Sequence, residues 1–195
     1  MSHQLLRRSV YRAMLPLALA AALVAPSRQV RGQAPIDAKA AAILRDQYTA
    51  DLDTVHAKIM ALANAIPEGK YIWRPAPGVR SISEVLMHVA SEWFFYVPQS
   101  VGGKPPADFG PPKETLPKLE KITAKKDVIA QLHKSWTYSK SQLTGADPVK
   151  LTGRLETWKI PFGEAAFSMS GDLHEHLGQL ISYARSVGVK PPWSK

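Results

Sequence analysis

The chain has 195 residues, of which 45% are hydrophobic and 21% charged, and its formal net charge is +9. This length suits one domain with a short additional segment, and the composition excludes a disordered or fibrous protein. Because the sequence contains no cysteine, disulfides, thiolate metal sites, cysteine nucleophiles and an acylated-cysteine anchor are excluded. A metal ion would have to be bound by imidazole and oxygen ligands.

Residues 1–32 have the layout of a secretory signal peptide. Three basic residues precede an apolar run at residues 13–25, and small residues follow it. The run is shorter than the roughly 20 apolar residues that span a bilayer. We therefore expect cleavage after Ala25 or, preferably, after Gly32, with an uncleaved anchor as the alternative. Cleavage would give an exported protein, periplasmic or extracellular, with no stable membrane anchor.

Most of the excess positive charge belongs to this N-terminal segment. Removing residues 1–32 removes five arginines and lowers the formal charge from +9 to +4. Nucleic-acid-binding surfaces typically carry dense runs of Lys and Arg interleaved with aromatic residues, and the remaining sequence has no such run. We expect no nucleic-acid partner.

The domain should occupy residues 37–194 and begin with a helix at residues 37–65. Apolar residues recur there at helical spacing, namely Ile43, Tyr48, Leu52, Val55, Ile59 and Leu62. Residues 70–80 contain several helix breakers and are predicted to form a crossover loop. Ser81 and Glu84 have the spacing of a capping box, so a second helix should start there and end near Val97.

The segment 98–122 separates the second helix from the third. It contains six prolines and three glycines, which favours a long ordered loop over a helix. A third helix is predicted from Ala124 to Leu143, and a last one from about Phe162 to Val187. Four helices with long connections and no alternating β pattern indicate an all-α four-helix bundle with long crossover loops.

The last helix contains the most informative polar residues. Its apolar residues recur at steps of three and four, and this register places His176 on the buried stripe. Asp172 lies four residues earlier, so both side chains share one face. His174 is two residues from His176, about 200° around the helix, and should point the other way.

His88 lies at the edge of the apolar stripe of the second helix, with Glu84 and Glu92 four residues to either side. If His88 faces His176, two imidazoles and one carboxylate could bind an ion and leave coordination positions open, which is typical of a reactive site. Histidines near an apolar stripe are also common as ordinary boundary residues. The spacing alone leaves both readings open for His88 and His176, and favours the ordinary one for His56 and His133.

Two segments carry motifs that resemble a known family. The first is WRPAPGVRSISEVLMHVA at residues 73–90, and the second is DLHEHLGQ at residues 172–179. Together they resemble the signatures of the DinB-like (DinB/YfiT-related) family, here as an exported member. This resemblance implies a four-helix bundle whose metal is held by one histidine on the second helix and two histidines, four residues apart, on the last.

The resemblance implies a ligand set in this sequence. His88 matches the first family histidine, His176 matches the last, and Asp172 stands where the family has the middle histidine. Since a carboxylate also binds metals, the expected ligands are His88, Asp172 and His176, with Zn, Ni, Fe or Mn as the divalent ion. Gln179, three residues after His176, could support the metal site from the second coordination shell.

The family resemblance also implies a function. We expect a metal-dependent hydrolase or thiol-type transferase acting on a small molecule that the sequence does not identify, with Glu92 and Glu175 as weak general-base candidates. The alternatives are a non-catalytic envelope protein that binds a metal or small ligand, and a bundle without metal. A homodimer is a further expectation.

Overall fold

The computed structural model describes residues 35–194. Within this range five α-helices form: α1 (Ala38–Ala65), α2 (Ile82–Ser100), α3 (Pro112–Leu119), α4 (Lys125–Gly145) and α5 (Phe162–Ser186). No strand occurs among these residues, only an isolated bridge between Arg154 and Pro161. The all-α class is confirmed. The proposed signal peptide at residues 1–32 lies outside the described residues.

The four long helices form a closed ring of neighbours. Helix α1 packs against α4 and α5, and helix α2 also packs against α4 and α5. The short helix α3 packs on α2 from outside the ring. This is a helical bundle in which the helices that carry His88 and His176, α2 and α5, are direct neighbours. In the part of the chain that the structure describes, none of the helices is long and apolar enough to cross a membrane.

The capping box at the start of α2 is confirmed. The Ser81 hydroxyl accepts from the Glu84 amide at 3.3 Å, and the Glu84 carboxylate accepts from the Ser81 amide at 2.6 Å. The preceding loop is tied to the same helix end, because the amides of Ile82 and Ser83 donate to the carbonyls of Trp73 and Tyr71. These bonds fix where α2 begins and therefore which way His88 points.

The prediction that residues 98–122 lack a helix is wrong. Helix α3 lies within this segment, with Pro112 at its first position, where a missing amide hydrogen costs nothing. Helix α2 also continues three residues past Val97, with Pro98 inside its last turn. Both differences involve proline. Pro112 fits the first turn of a helix, whereas Pro98 removes one backbone hydrogen bond in the last turn of α2, which ends two residues later.

The core follows most of the predicted apolar stripes. The stripe residues of α2 are fully buried, as are most of those of α1, α4 and α5. The clearest departure is on α1, where Ile43 of the predicted stripe is 51% exposed and Ala41 is buried. The core ends at the α2–α5 contact, where polar side chains replace apolar ones.

Candidate metal centre

Three side chains from two helices meet at the α2–α5 contact. His88 and Glu92 lie one turn apart on α2, and His176 lies on α5. The Nε2 atom of His88 is 3.3 Å from Glu92 Oε1, and the Nε2 atom of His176 is also 3.3 Å from the same oxygen. The candidate ligand atoms of all three residues lie within 4.8 Å of one another. Three potential metal donors thus lie close together.

The spacing of these donors suits a shared metal ion. Two ligands about 2.1 Å from one ion at a tetrahedral angle lie about 3.4 Å apart, which is close to the 3.3 Å measured from each imidazole to the carboxylate. The donor set of two imidazoles and one carboxylate suits Zn, Ni, Fe or Mn. The histidine–carboxylate spacing therefore fits a divalent transition metal. Two ligands about 2.1 Å from one ion lie at most about 4.2 Å apart, so donors separated by up to 4.8 Å would move slightly closer on binding.

Burial of the carboxylate adds to this fit. Glu92 is only 3% exposed, and its Oε2 atom accepts no hydrogen bond from an amide, imidazole or hydroxyl group among residues 35–194. The neighbouring Asp172 carboxyl can donate to Glu92 only when it is protonated. A buried carboxylate oxygen without a donor is costly. A bound cation would neutralise that charge.

The protonation of the cluster follows from its contacts. Burial raises the pKa of Glu92, but hydrogen bonds from His176 and His88 outweigh it and lower this pKa to about 2. The hydrogen bond to Glu92 in turn raises the pKa of His176, against the opposing effect of burial. Without metal, the cluster is held together by a buried carboxylate anion between two imidazoles.

Asp172 lies at the outer edge of this cluster. Its Oδ1 atom is 4.0 Å from His176 Nε2, and its side chain is 46% exposed. Burial, then a hydrogen bond to Glu92 and the Glu92 charge, raises the pKa of Asp172 to about 6. The assignment of Asp172 as a metal ligand stays a prediction, and Glu92 lies nearer to both histidines.

The motifs and the geometry agree with the comparison to known proteins. A model of the DinB superfamily matches residues 51–180. The chain belongs to the DinB superfamily. The match includes α2 and the part of α5 up to residue 180, so His88, Glu92 and His176 of this DinB protein all lie inside it. A comparison with curated proteins finds no match.

The structure shows where the other polar residues of the DinB motifs lie. His174 points away from His176, as its spacing predicts, and its Nε2 atom is 3.0 Å from Asp51 Oδ1 on α1. The same Asp51 accepts a hydrogen bond from Ser170. Since serine and histidine both bond to the carboxylate and not to each other, this trio joins α1 to α5 and does not activate a nucleophile.

Glu92 joins the candidate cluster although the sequence does not predict it as a ligand. The weak general-base role that the sequence suggests for Glu92 stays a prediction, and the structure of this DinB protein places its carboxylate between the two histidines. The signal that could have found it is its spacing of four residues from His88, the same spacing that relates Asp172 to His176. Glu175, the other general-base candidate, is exposed.

Proposed function

We propose that this DinB-superfamily protein binds one divalent transition-metal ion through His88, Glu92 and His176 and uses it in a reaction on a small molecule. The supporting observation is that the Nε2 atoms of two histidines, from different helices, face the same buried carboxylate oxygen at 3.3 Å. Three protein ligands leave at least one coordination position for water or substrate, as in reactive rather than structural sites.

When bound, the ion would supply a Lewis acid that lowers the pKa of a coordinated water or thiol. The protein supplies the remaining groups. Glu92 provides a buried negative charge that balances the cation, and the two imidazoles fix its place between α2 and α5. Asp172, half-exposed at the edge and with its pKa raised to about 6, is suited to accept and return a proton there.

The reaction that fits best is metal-assisted hydrolysis. A thiol-type transfer suits the same ligands, but low-molecular-weight thiols are mostly cytoplasmic, whereas we propose that residues 1–32 direct export. Determining the N-terminal residue of the protein recovered from the cell envelope or medium tests this proposal. An intact Met1 in that fraction would contradict cleavage.

The metal proposal is tested by titrating metal-free protein with Zn²⁺ and Ni²⁺ in a calorimeter. We expect one ion per chain, and a loss of more than about 100-fold in affinity for His176→Ala and Glu92→Gln, because losing a ligand costs more than losing its outer partner. His133→Ala, which removes an exposed histidine on α4, is the matched control. Unchanged affinity in both ligand variants would contradict the site.

Asp172→Asn separates two roles for this residue. If it carries a proton, the variant should keep wild-type metal affinity and lose turnover in a panel of ester, amide and phosphoester substrates. If affinity falls as in Glu92→Gln, Asp172 is a ligand, as the family pattern predicts. Bound metal without turnover on hydrolase and thiol-transferase panels would instead favour the non-catalytic binding protein.

A further inference from the structure

Hydrogen bonds extend outward from His176 along one face of α5. The Nδ1 atom of His176 is 3.4 Å from Gln179 Oε1, and Gln179 Nε2 donates to the Tyr183 hydroxyl at 3.1 Å. These residues are three and four positions apart, so they follow one another along the same helix face. The Gln179 amide thus lies against the side of the His176 ring that faces away from Glu92, and the Tyr183 hydroxyl holds this amide in place.

We propose that Gln179 and Tyr183 are positioning residues that keep the Nδ1 atom of His176 protonated, so that Nε2 is the nitrogen that binds the metal. This inference rests on the proposed metal site. In a neutral histidine one ring nitrogen carries the hydrogen, and the hydrogen bond made by that nitrogen decides which one is free to bind a metal.

The Gln179 amide is oriented as a bound ion would require, with its oxygen facing Nδ1 of His176. With Nε2 of His176 coordinated, Nδ1 must donate, so the amide has to present its oxygen. Its NH₂ group then needs an acceptor, which the Tyr183 hydroxyl provides. The reversed amide would place a donor against Nδ1 and disfavour a hydrogen there, so that the ring would hold its hydrogen on Nε2 more firmly and release it less readily to a metal.

Tyr183 is itself held relative to the other ligand helix. Its ring packs edge-on against Trp73, with ring centroids 5.4 Å apart and an interplanar angle of 81°. The Trp73 carbonyl accepts from the Ile82 amide at the start of α2 at 3.0 Å. The orientation of His176 is therefore tied to the start of the helix that carries His88 and Glu92.

Among the residues that the structure describes, His88 lacks the outer hydrogen bond that His176 makes through its Nδ1 atom. His88 Nδ1 is buried and has no hydrogen-bond partner within the described part of the chain. The outer support thus acts on His176, the ligand from α5, and not on His88. We therefore expect metal affinity to depend on Gln179 although Gln179 does not contact the ion.

The test compares Gln179→Met, Gln179→Glu and Tyr183→Phe with the wild type. The dissociation constant for Zn²⁺ is measured by chelator competition, the coordination geometry by the visible absorption of the Co²⁺ form, and folding by melting of metal-free protein. Ser182→Ala, at an exposed position of the same helix, is the control. The methionine keeps the side-chain length and removes the acceptor, whereas the glutamate retains it.

We expect Gln179→Met to weaken Zn²⁺ binding about 10–100-fold and to change the Co²⁺ spectrum, with little change in the melting of the metal-free protein. Gln179→Glu should restore affinity to within about threefold of wild type, because its carboxylate accepts from Nδ1 as well as the amide does. Tyr183→Phe keeps the packing on Trp73 and should weaken binding by a smaller factor.

If the wild type binds metal and Gln179→Met has the same affinity and Co²⁺ spectrum, the positioning role is overturned and the proposed function stays intact. Failure of the wild type itself to bind Zn²⁺ or Co²⁺ would overturn both. If Gln179→Met does not fold, Tyr183→Phe decides: wild-type affinity and spectrum in that variant would contradict the inference.

Discussion

At the level of single residues, the site shows what spacing can and cannot determine. The sequence places His88 and Glu92 on one face of α2, and Asp172 and His176 on one face of α5. It does not determine how far each helix is rotated toward its neighbour, because that depends on how side chains such as Trp93 and Leu173 fill the core. The rotation brings Glu92 between the histidines and leaves Asp172 at the edge.

His56 is a second histidine with an unusual environment. Its ring stacks on Trp136 with centroids 4.5 Å apart and an interplanar angle of 10°, and it packs edge-on against Trp93 at 5.3 Å. Burial lowers the pKa of His56 from its ordinary 6.5 to about 4; the positive charges of His133 and Lys140 act in the same direction, and Asp53 opposes them. The folded protein therefore holds His56 neutral.

This environment predicts an acid-dependent loss of stability. Because the unfolded chain protonates His56 near pH 6.5 and the folded chain only near pH 4, its contribution is complete above about pH 6.5 and is lost as the pH falls toward 4. His56→Phe keeps an aromatic ring and removes the ionisable group. The free energy of unfolding in urea should then fall less between pH 7 and pH 4.5 than in the wild type.

His133→Gln is the comparison variant for this experiment, since it removes an exposed histidine on α4 whose charge lowers the pKa of His56 less than burial does. It should keep most of the wild-type difference between the two pH values, because His56 stays buried. An equal decrease in stability for His56→Phe and wild type would show that His56 does not titrate as its burial implies.

At the level of helices, the sequence predicted the bounds well where local chemistry decides them. Asp37 accepts from the Ala40 amide and starts α1, and the capping box starts α2, both at or next to the predicted residue. Helix α3 was missed because its position depends on packing against α2 as well as on the first-turn proline. Helix caps have a local sequence pattern, whereas contacts between residues far apart in the sequence do not.

The capping box gives a prediction for α2. Ser81→Ala removes the hydroxyl that accepts from the Glu84 amide and should lower the free energy of unfolding by about 0.5–2 kcal/mol. Because this helix carries His88 and Glu92, metal affinity should fall in the same variant. Chemical denaturation measures the first effect and Zn²⁺ titration the second.

Ser168→Ala, at an exposed position within α5, serves as the control and should change the free energy of unfolding by less than about 0.5 kcal/mol. A Ser81→Ala protein as stable as this control would mean that the capping box does not hold the start of α2.

At the level of the whole molecule, the ring of four long helices makes the site possible. Residues 88 and 176 are far apart in sequence, and they meet because α2 and α5 are neighbours. The DinB superfamily match at residues 51–180 explains why the two motifs could be paired from the sequence. Export through residues 1–32 and pairing into a homodimer stay predictions, because they depend on segments or partners other than the described chain.

The decisive measurement is a crystal structure of the Zn²⁺-loaded protein with anomalous scattering recorded at the zinc edge. We expect one anomalous peak about 2.0–2.2 Å from the Nε2 atoms of His88 and His176 and from a carboxylate oxygen of Glu92. A zinc peak elsewhere on the protein would contradict the proposed centre. So would a structure in which these three side chains point away from one another and hold no ion.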